Sequence, residues 1–169
     1  MEAVRIRSPF SRMLVISLSV VAVACASAEK EDEGKEEHEE AGARVELAQL
    51  PAAARATVEK LTAGGKIEKI DRVVEHGVAA FDVEATVGGK HVEYLVAEKD
   101  GAVLGTETSI EISELPDPVR LAAEKHFGTT AGLEAMKGVE HGKTSYEILG
   151  TKDGKKVEVT FDPTGKRIE

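Results

Sequence analysis

The sequence predicts an α+β protein of two tandem modules, each one helix followed by an antiparallel β-meander of three to four strands. Three observations carry this expectation. The tetrapeptide VEHG occurs at Val74 to Gly77 and again at Val139 to Gly142, an offset of 65 residues that the flanking chain also follows. Each copy opens on Leu-Pro and a stretch with helical spacing. Each then continues into runs that alternate apolar and polar side chains around a glycine-bearing turn. Self-similarity at a fixed period identifies the unit that is built twice.

Two segments of different character precede the modules. Arg5, Arg7 and Arg12 lead into the uncharged run Met13 to Ala24, which has the length of a signal-peptide core. That run falls short of the about 20 apolar residues needed to span a bilayer. Residues 1–28 therefore read as a signal peptide, and the chain is expected to be exported to the periplasm or cell envelope. Two processing routes stay open. Ala24-Cys25-Ala26 and Ala26-Ser27-Ala28 satisfy the small-x-small rule of an ordinary signal peptidase. Ala22-Val23-Ala24-Cys25 resembles the lipobox of bacterial lipoproteins, which implies lipidation of Cys25 and a membrane attachment through that lipid alone. Residues 29–46 read as an acidic, disordered linker, because Glu29 to Glu40 hold eight acidic and two basic side chains and nothing apolar to bury.

The first module is expected over 47–108. Leu47, Leu50, Ala54, Val58 and Leu61 lie on one helical face, with Pro51 near the start and Gly64-Gly65 after the end. Segment Lys66 to Glu75 is expected to be a bulged strand that VEHG turns into the next. In that strand Phe81, Val83, Ala85 and Val87 alternate with Asp82, Glu84 and Thr86. A two-residue turn at Gly88-Gly89 pairs Val83 with Tyr94, Phe81 with Val96 and Glu84 with Glu93, so apolar meets apolar on one face and polar meets polar on the other. A fourth strand is expected over Ala102 to Thr108. The second module, 109–169, repeats the plan: a helix flanked by Pro116 and Gly128 with Asp117 as N-cap, then a hairpin turning at Asp153-Gly154. That hairpin sets Ile148 against Val159 and Tyr146 against Phe161, and Lys166 to Glu169 is a shortened fourth strand.

Composition narrows the function. The net charge of −9 falls to −5 over Ala41 to Glu169 once both leading segments are set aside, and no stripe of Lys and Arg appears. Nucleic acid is therefore not expected as a partner, nor is an anionic membrane surface. Cys25 is the only cysteine, which leaves no intrachain disulfide and no cysteine-rich metal site. No nucleophile motif, phosphate-binding loop or HExxH is present, so an enzyme is not expected and no catalytic or metal-ligating residue is assigned. His76 and His141 recur, but each precedes a glycine at a bend, and turn position accounts for them.

The stretches LPAAARATVEKL and LPDPVRLAAEKHF, followed by AAFDVEATVGGKHVEYLVAEKDGAVL and TSYEILGTKDGKKVEVTFDPTGKRI, resemble the PepSY-like family and its tandem β-lactamase-inhibitor-like relatives. The resemblance covers nearly everything from Leu47 onward. It implies an exported, non-enzymatic protein that binds or inhibits a protein partner of the envelope, such as a peptidase, without a cofactor.

The candidate binding surface is the polar sheet face. With helices on the apolar side, Asp82, Glu84, Glu93, Glu147 and Glu158 are expected to face solvent, and directly opposed Glu84 and Glu93 repel unless they splay or share a cation. The face is expected to receive a basic loop of a partner. The alternative from another class is a cation or small-ligand sensor that holds Ca²⁺ weakly on the same carboxylates.

Overall fold

The computed structural model describes residues 42–168. The expected signal peptide, Cys25 and its lipobox, and all but the last residues of the acidic linker lie outside them. Among the described residues no helix is long and apolar enough to cross a membrane.

The strands are β1 (Ala43–Arg44), β2 (Lys66–Glu75), β3 (Val78–Val87), β4 (Lys90–Ala97), β5 (Val103–Ile110), β6 (Glu134–Glu140), β7 (Lys143–Lys152) and β8 (Lys155–Phe161). Two helices, α1 (Ala52–Leu61) and α2 (Asp117–Phe127), precede β2 and β6. All eight strands belong to one antiparallel sheet whose spatial order is the chain order. This overturns the expected pair of tandem helix-plus-meander modules. The last strand of the first copy pairs with the first strand of the second, from Gly105 opposite Glu140 to Ile110 opposite Ala135, and the described residues form a mostly-β fold with a single sheet. The physical reason is the edge. Two separate meanders would each leave a row of unpaired N–H and C=O groups on β5 and β6, and joining them satisfies both rows.

Within each copy the hairpins have the expected register. Phe81 faces Val96, Val83 faces Tyr94 and Glu84 faces Glu93, while Ile148 faces Val159 and Tyr146 faces Phe161. β2 carries the expected bulge, between Ile67 and Lys69. The helices differ in detail from the expectation. Leu47 to Leu61 is not one helix: Leu47–Gln49 form a 3-10 turn, Leu50 is extended, and Pro51 then caps α1. The break follows from Pro51, which forces the residue before it out of the helical region. Likewise Pro116 rather than Asp117 caps α2, with Asp117 as its first residue. The expected strand over Lys166 to Glu169 is reduced to one bridge, Phe161 to Arg167, with the Ile168 N–H donating to the Thr160 carbonyl at 2.9 Å.

Both helices lie on one face. Leu50, Ala54 and Val58 pack with Ile70, Phe81, Val83 and Val96, and Leu115, Val119 and Ala123 pack with Ala135, Tyr146, Ile148, Val159 and Phe161. Equivalent glycines lock each helix down. A Cβ on Gly101 would sit 2.6 Å from the Ala53 carbonyl oxygen, and one on Gly165 would run into the Pro118 carbonyl in the same way. The Thr57 hydroxyl adds a hydrogen bond to the Gly101 carbonyl at 2.8 Å.

Candidate functional site

On the face away from the helices, the register lines side chains into rows across the strands. One row runs Lys69, Glu84, Glu93, Glu107, Gly138 and Ser145 from β2 to β7. The next runs Asp71, Asp82, Leu95, Gly105, Glu140 and Lys143. A third, on the other side of the first, sets Ser109, Met136, Glu147 and Thr160 side by side from β5 to β8.

This face is curled inward. The His76 imidazole, in the β2–β3 turn, lies 3.8 Å from the Glu140 carboxylate at the end of β6. Three to four strand spacings separate those positions, about 14–19 Å on a flat sheet. The curl buries what the pattern had placed in solvent. Asp82 is 3% exposed, Glu93 0% and Glu147 4%, which corrects the expectation for these three; Glu84 and Glu158 keep part of their surface open. Alternation assigns a residue to a face, but it carries no information on whether that face is folded over on itself. Under the curl, Ala80 and Leu95 form a small apolar patch with Val73 and Leu104.

Glu107 joins the site and was not anticipated. It is 6% exposed, directly opposite Glu93 on one side and Gly138 on the other. Gly138 makes the room: a Cβ there would stand 3.1 Å from the Glu107 carboxylate and 2.9 Å from the Ser145 hydroxyl. The signal for Glu107 was obscured by a register shift in the β4–β5 pairing at Leu95 and Val96.

The opposed pair Glu84 and Glu93 is resolved from within the sheet. Lys69 donates to Glu84 at 3.1 Å and pairs with Asp71 at 2.6 Å. The His91 ring stands 3.1 Å from Glu93 Oε1, and that hydrogen bond, ahead of the burial that opposes it, raises the imidazole above its ordinary value. The other oxygens are not provided for: Asp82 Oδ1, Glu93 Oε2 and Glu107 Oε2 are buried without a hydrogen-bond donor in the protein. Loss of hydration, followed by the charge of Glu93 and Glu84, pushes the Asp82 carboxyl up to about 7. Burial and then Glu147 and Glu93 push Glu107 up to about 9. A carboxylate removed from water without a donor takes a proton instead of remaining charged. The inner face is therefore a set of buried carboxyl groups held short of counter-charge, suited to a cationic group that brings several N–H bonds.

The fold is shared with solved structures of bacterial proteins. The chain superposes on a candidate periplasmic protein of Bacteroides eggerthii with a TM-score of 0.57 and 14% identity, over 71% of this chain and 86% of that one. A BLIP-like protein of Bacteroides fragilis gives a TM-score of 0.52 and 19% identity, over 71% and 84%. A DUF2874 family protein of Bacteroides uniformis gives 0.52 and 15%, over 71% and 87%. These likenesses establish a shared fold. No family model and no curated protein matches the sequence, and none of the comparisons establishes the PepSY-like family for it.

Proposed function

We propose that this chain is an exported binding protein whose curled acidic face takes a cationic segment of another envelope protein. The observation that carries the reading is the row Glu84, Glu93 and Glu107 with Asp82 beside it, in which Asp82 Oδ1, Glu93 Oε2 and Glu107 Oε2 are buried without a donor in the protein. A lysine or arginine side chain entering the face supplies those donors and lets the carboxyls ionise against a fixed charge. Glu84 and Glu158 meet the partner at the open margins. Export is supported by the signal-like residues 1–28 and by the likeness to a candidate periplasmic protein. The resemblance to PepSY-like proteins supports an envelope peptidase as the partner, restrained by occupation of its surface. The reading assigns no catalytic residue and no cofactor.

A cation sensor that holds Ca²⁺ weakly is the second reading, supported by the same unpartnered oxygens. One experiment separates the two. The immobilised full chain and its Glu84→Gln/Glu93→Gln variant are each challenged with envelope extract from the source organism, and the retained proteins are identified. One protein held at near-equal stoichiometry by the wild type and lost by the variant supports the proposal. Equal retention by both chains counts against it. Stabilisation by Ca²⁺ alone, with nothing retained, favours the sensor.

A further inference from the structure

We infer that the two VEHG turns together form a binding site for one divalent transition-metal ion of the zinc class, placed where it clasps the open end of the curled face. The inference stands apart from the proposed partner, because it rests on a different end of the sheet and on different residues.

Each turn ends a strand on a glutamate and begins the bend on a histidine, Glu75-His76 in one and Glu140-His141 in the other. His76 and His141 have φ of 50° and 48°, followed by Gly77 and Gly142 at 77° and 74°. A two-residue turn with both φ positive is ordinarily made by Asn-Gly, Asp-Gly or Gly-Gly. The chain uses those solutions in its other two hairpins with two-residue turns, Gly88-Gly89 and Asp153-Gly154. A left-handed conformation is tolerated by histidine but does not call for it. What histidine adds, at both equivalent turns, is an imidazole.

The curl then brings these imidazoles onto one carboxylate. Glu140 Oε1 lies 3.8 Å from His76 Nε2 and 3.5 Å from His141 Nδ1, and Glu75 Oε1 lies 3.5 Å from His76 Nε2. Neighbouring ligands of a tetrahedral zinc ion, with bonds of about 2.0–2.2 Å, stand about 3.3–3.5 Å apart, close to these separations. Two imidazoles with two carboxylates favour zinc, copper or nickel over the all-oxygen shell that calcium takes. As they stand, no group of three or more such side chains among the described residues is placed to hold a metal ion. Closing them takes side-chain rotation at His76 and His141, whose side chains are 71% and 67% exposed and so have solvent to turn into. The turns border a cavity of about 720 Å³ that Lys143 and Asp162 also line, so an entering ion meets one cation and an added carboxylate.

The test is zinc titration of the full chain by calorimetry, with cobalt(II) absorption as a spectroscopic readout of coordination. The variants are His76→Asn and His141→Asn, singly and together, because asparagine is at home in a left-handed turn and removes the imidazole without breaking the bend. Metal held by Cys25 or His38, in the residues before the sheet, is common to all four chains and cancels in the comparison. The expected result is one zinc ion per chain that each single variant weakens by at least the roughly tenfold that loss of even an outer-shell partner costs. The cobalt ligand-field band and the zinc-dependent rise in melting temperature should disappear with it. An unchanged zinc affinity and cobalt spectrum in the double variant would overturn the site, as would a wild-type chain that takes up no zinc.

Discussion

On the helix side of the sheet, Val83, Ile148 and Val159 are wholly buried and lie within apolar clusters; on the inner side Glu93 is as deeply buried, and its Oε2 finds no donor. The first kind of burial is favourable, roughly 1.5–3 kcal/mol for each large apolar side chain taken out of water. The second is unfavourable until the carboxyl is protonated or meets a cation. The helix side thus supplies the stability that lets the inner side stay poorly satisfied. Backbone and side-chain strain gathers at sites that act, and is compensated elsewhere in the fold.

The contrast can be broken at its strong end first. Ile148→Ala opens a cavity under α2 and should cost about 2–5 kcal/mol by chemical denaturation, with the denaturant slope unchanged. Gly165→Ala pushes a Cβ against the Pro118 carbonyl at a φ of 80° and should loosen α2 by about 1–3 kcal/mol, read from the same denaturation curve.

The inner face is tested through pH. Asp82 and Glu107 hold protons in the folded chain at values where the unfolded chain has lost them, because both folded values are raised. Their stabilising effect is complete below about pH 4 and is lost as pH rises, through about 7 for Asp82 and about 9 for Glu107. Each group then lowers stability by up to about 1.4 kcal/mol per pH unit inside its window. The raised His91 acts in the same direction, since it too holds a proton in the folded chain that the unfolded chain gives up earlier. Glu107→Gln should remove most of the slope between pH 7 and 9 in a series of thermal melts, and a slope that survives intact would mean that Glu107 is not the group responsible. The smallest effect belongs to neither face: Lys90→Ala breaks an exposed pair with Glu114 at 3.3 Å and should leave the denaturation midpoint within error.

Much of the fold was legible because its signals are local. The turns at Gly88-Gly89 and Asp153-Gly154, with strict alternation on either side, determine both hairpin registers. The pairing of β5 with β6 was not legible, since no turn links them and the intervening chain carries α2. From that pairing follow the curl, the burial of Asp82, Glu93 and Glu147, and the meeting of His76 with Glu140. Face assignments for Asp82, Glu84, Glu93, Glu147 and Glu158 were readable from alternation, whereas their surroundings depended on long-range closure. Glu107 was missed because one register shift in β4–β5 displaces the pairing near its turn from the pairing farther along.

The order of the strands also governs how quickly the chain can find its fold. Every strand pairs only with its immediate predecessor and successor, so no early segment must wait for a distant one to arrive. Folding rates fall as contacts span more sequence, because a long loop must close before it is rewarded. Here four of the hairpins close over two-residue turns and β4–β5 over residues 98–102, and the widest gap to bridge is the one occupied by α2. The seam between β5 and β6, with the longest stretch of chain between its strands, is thus the pairing that carries the largest loop-closure cost.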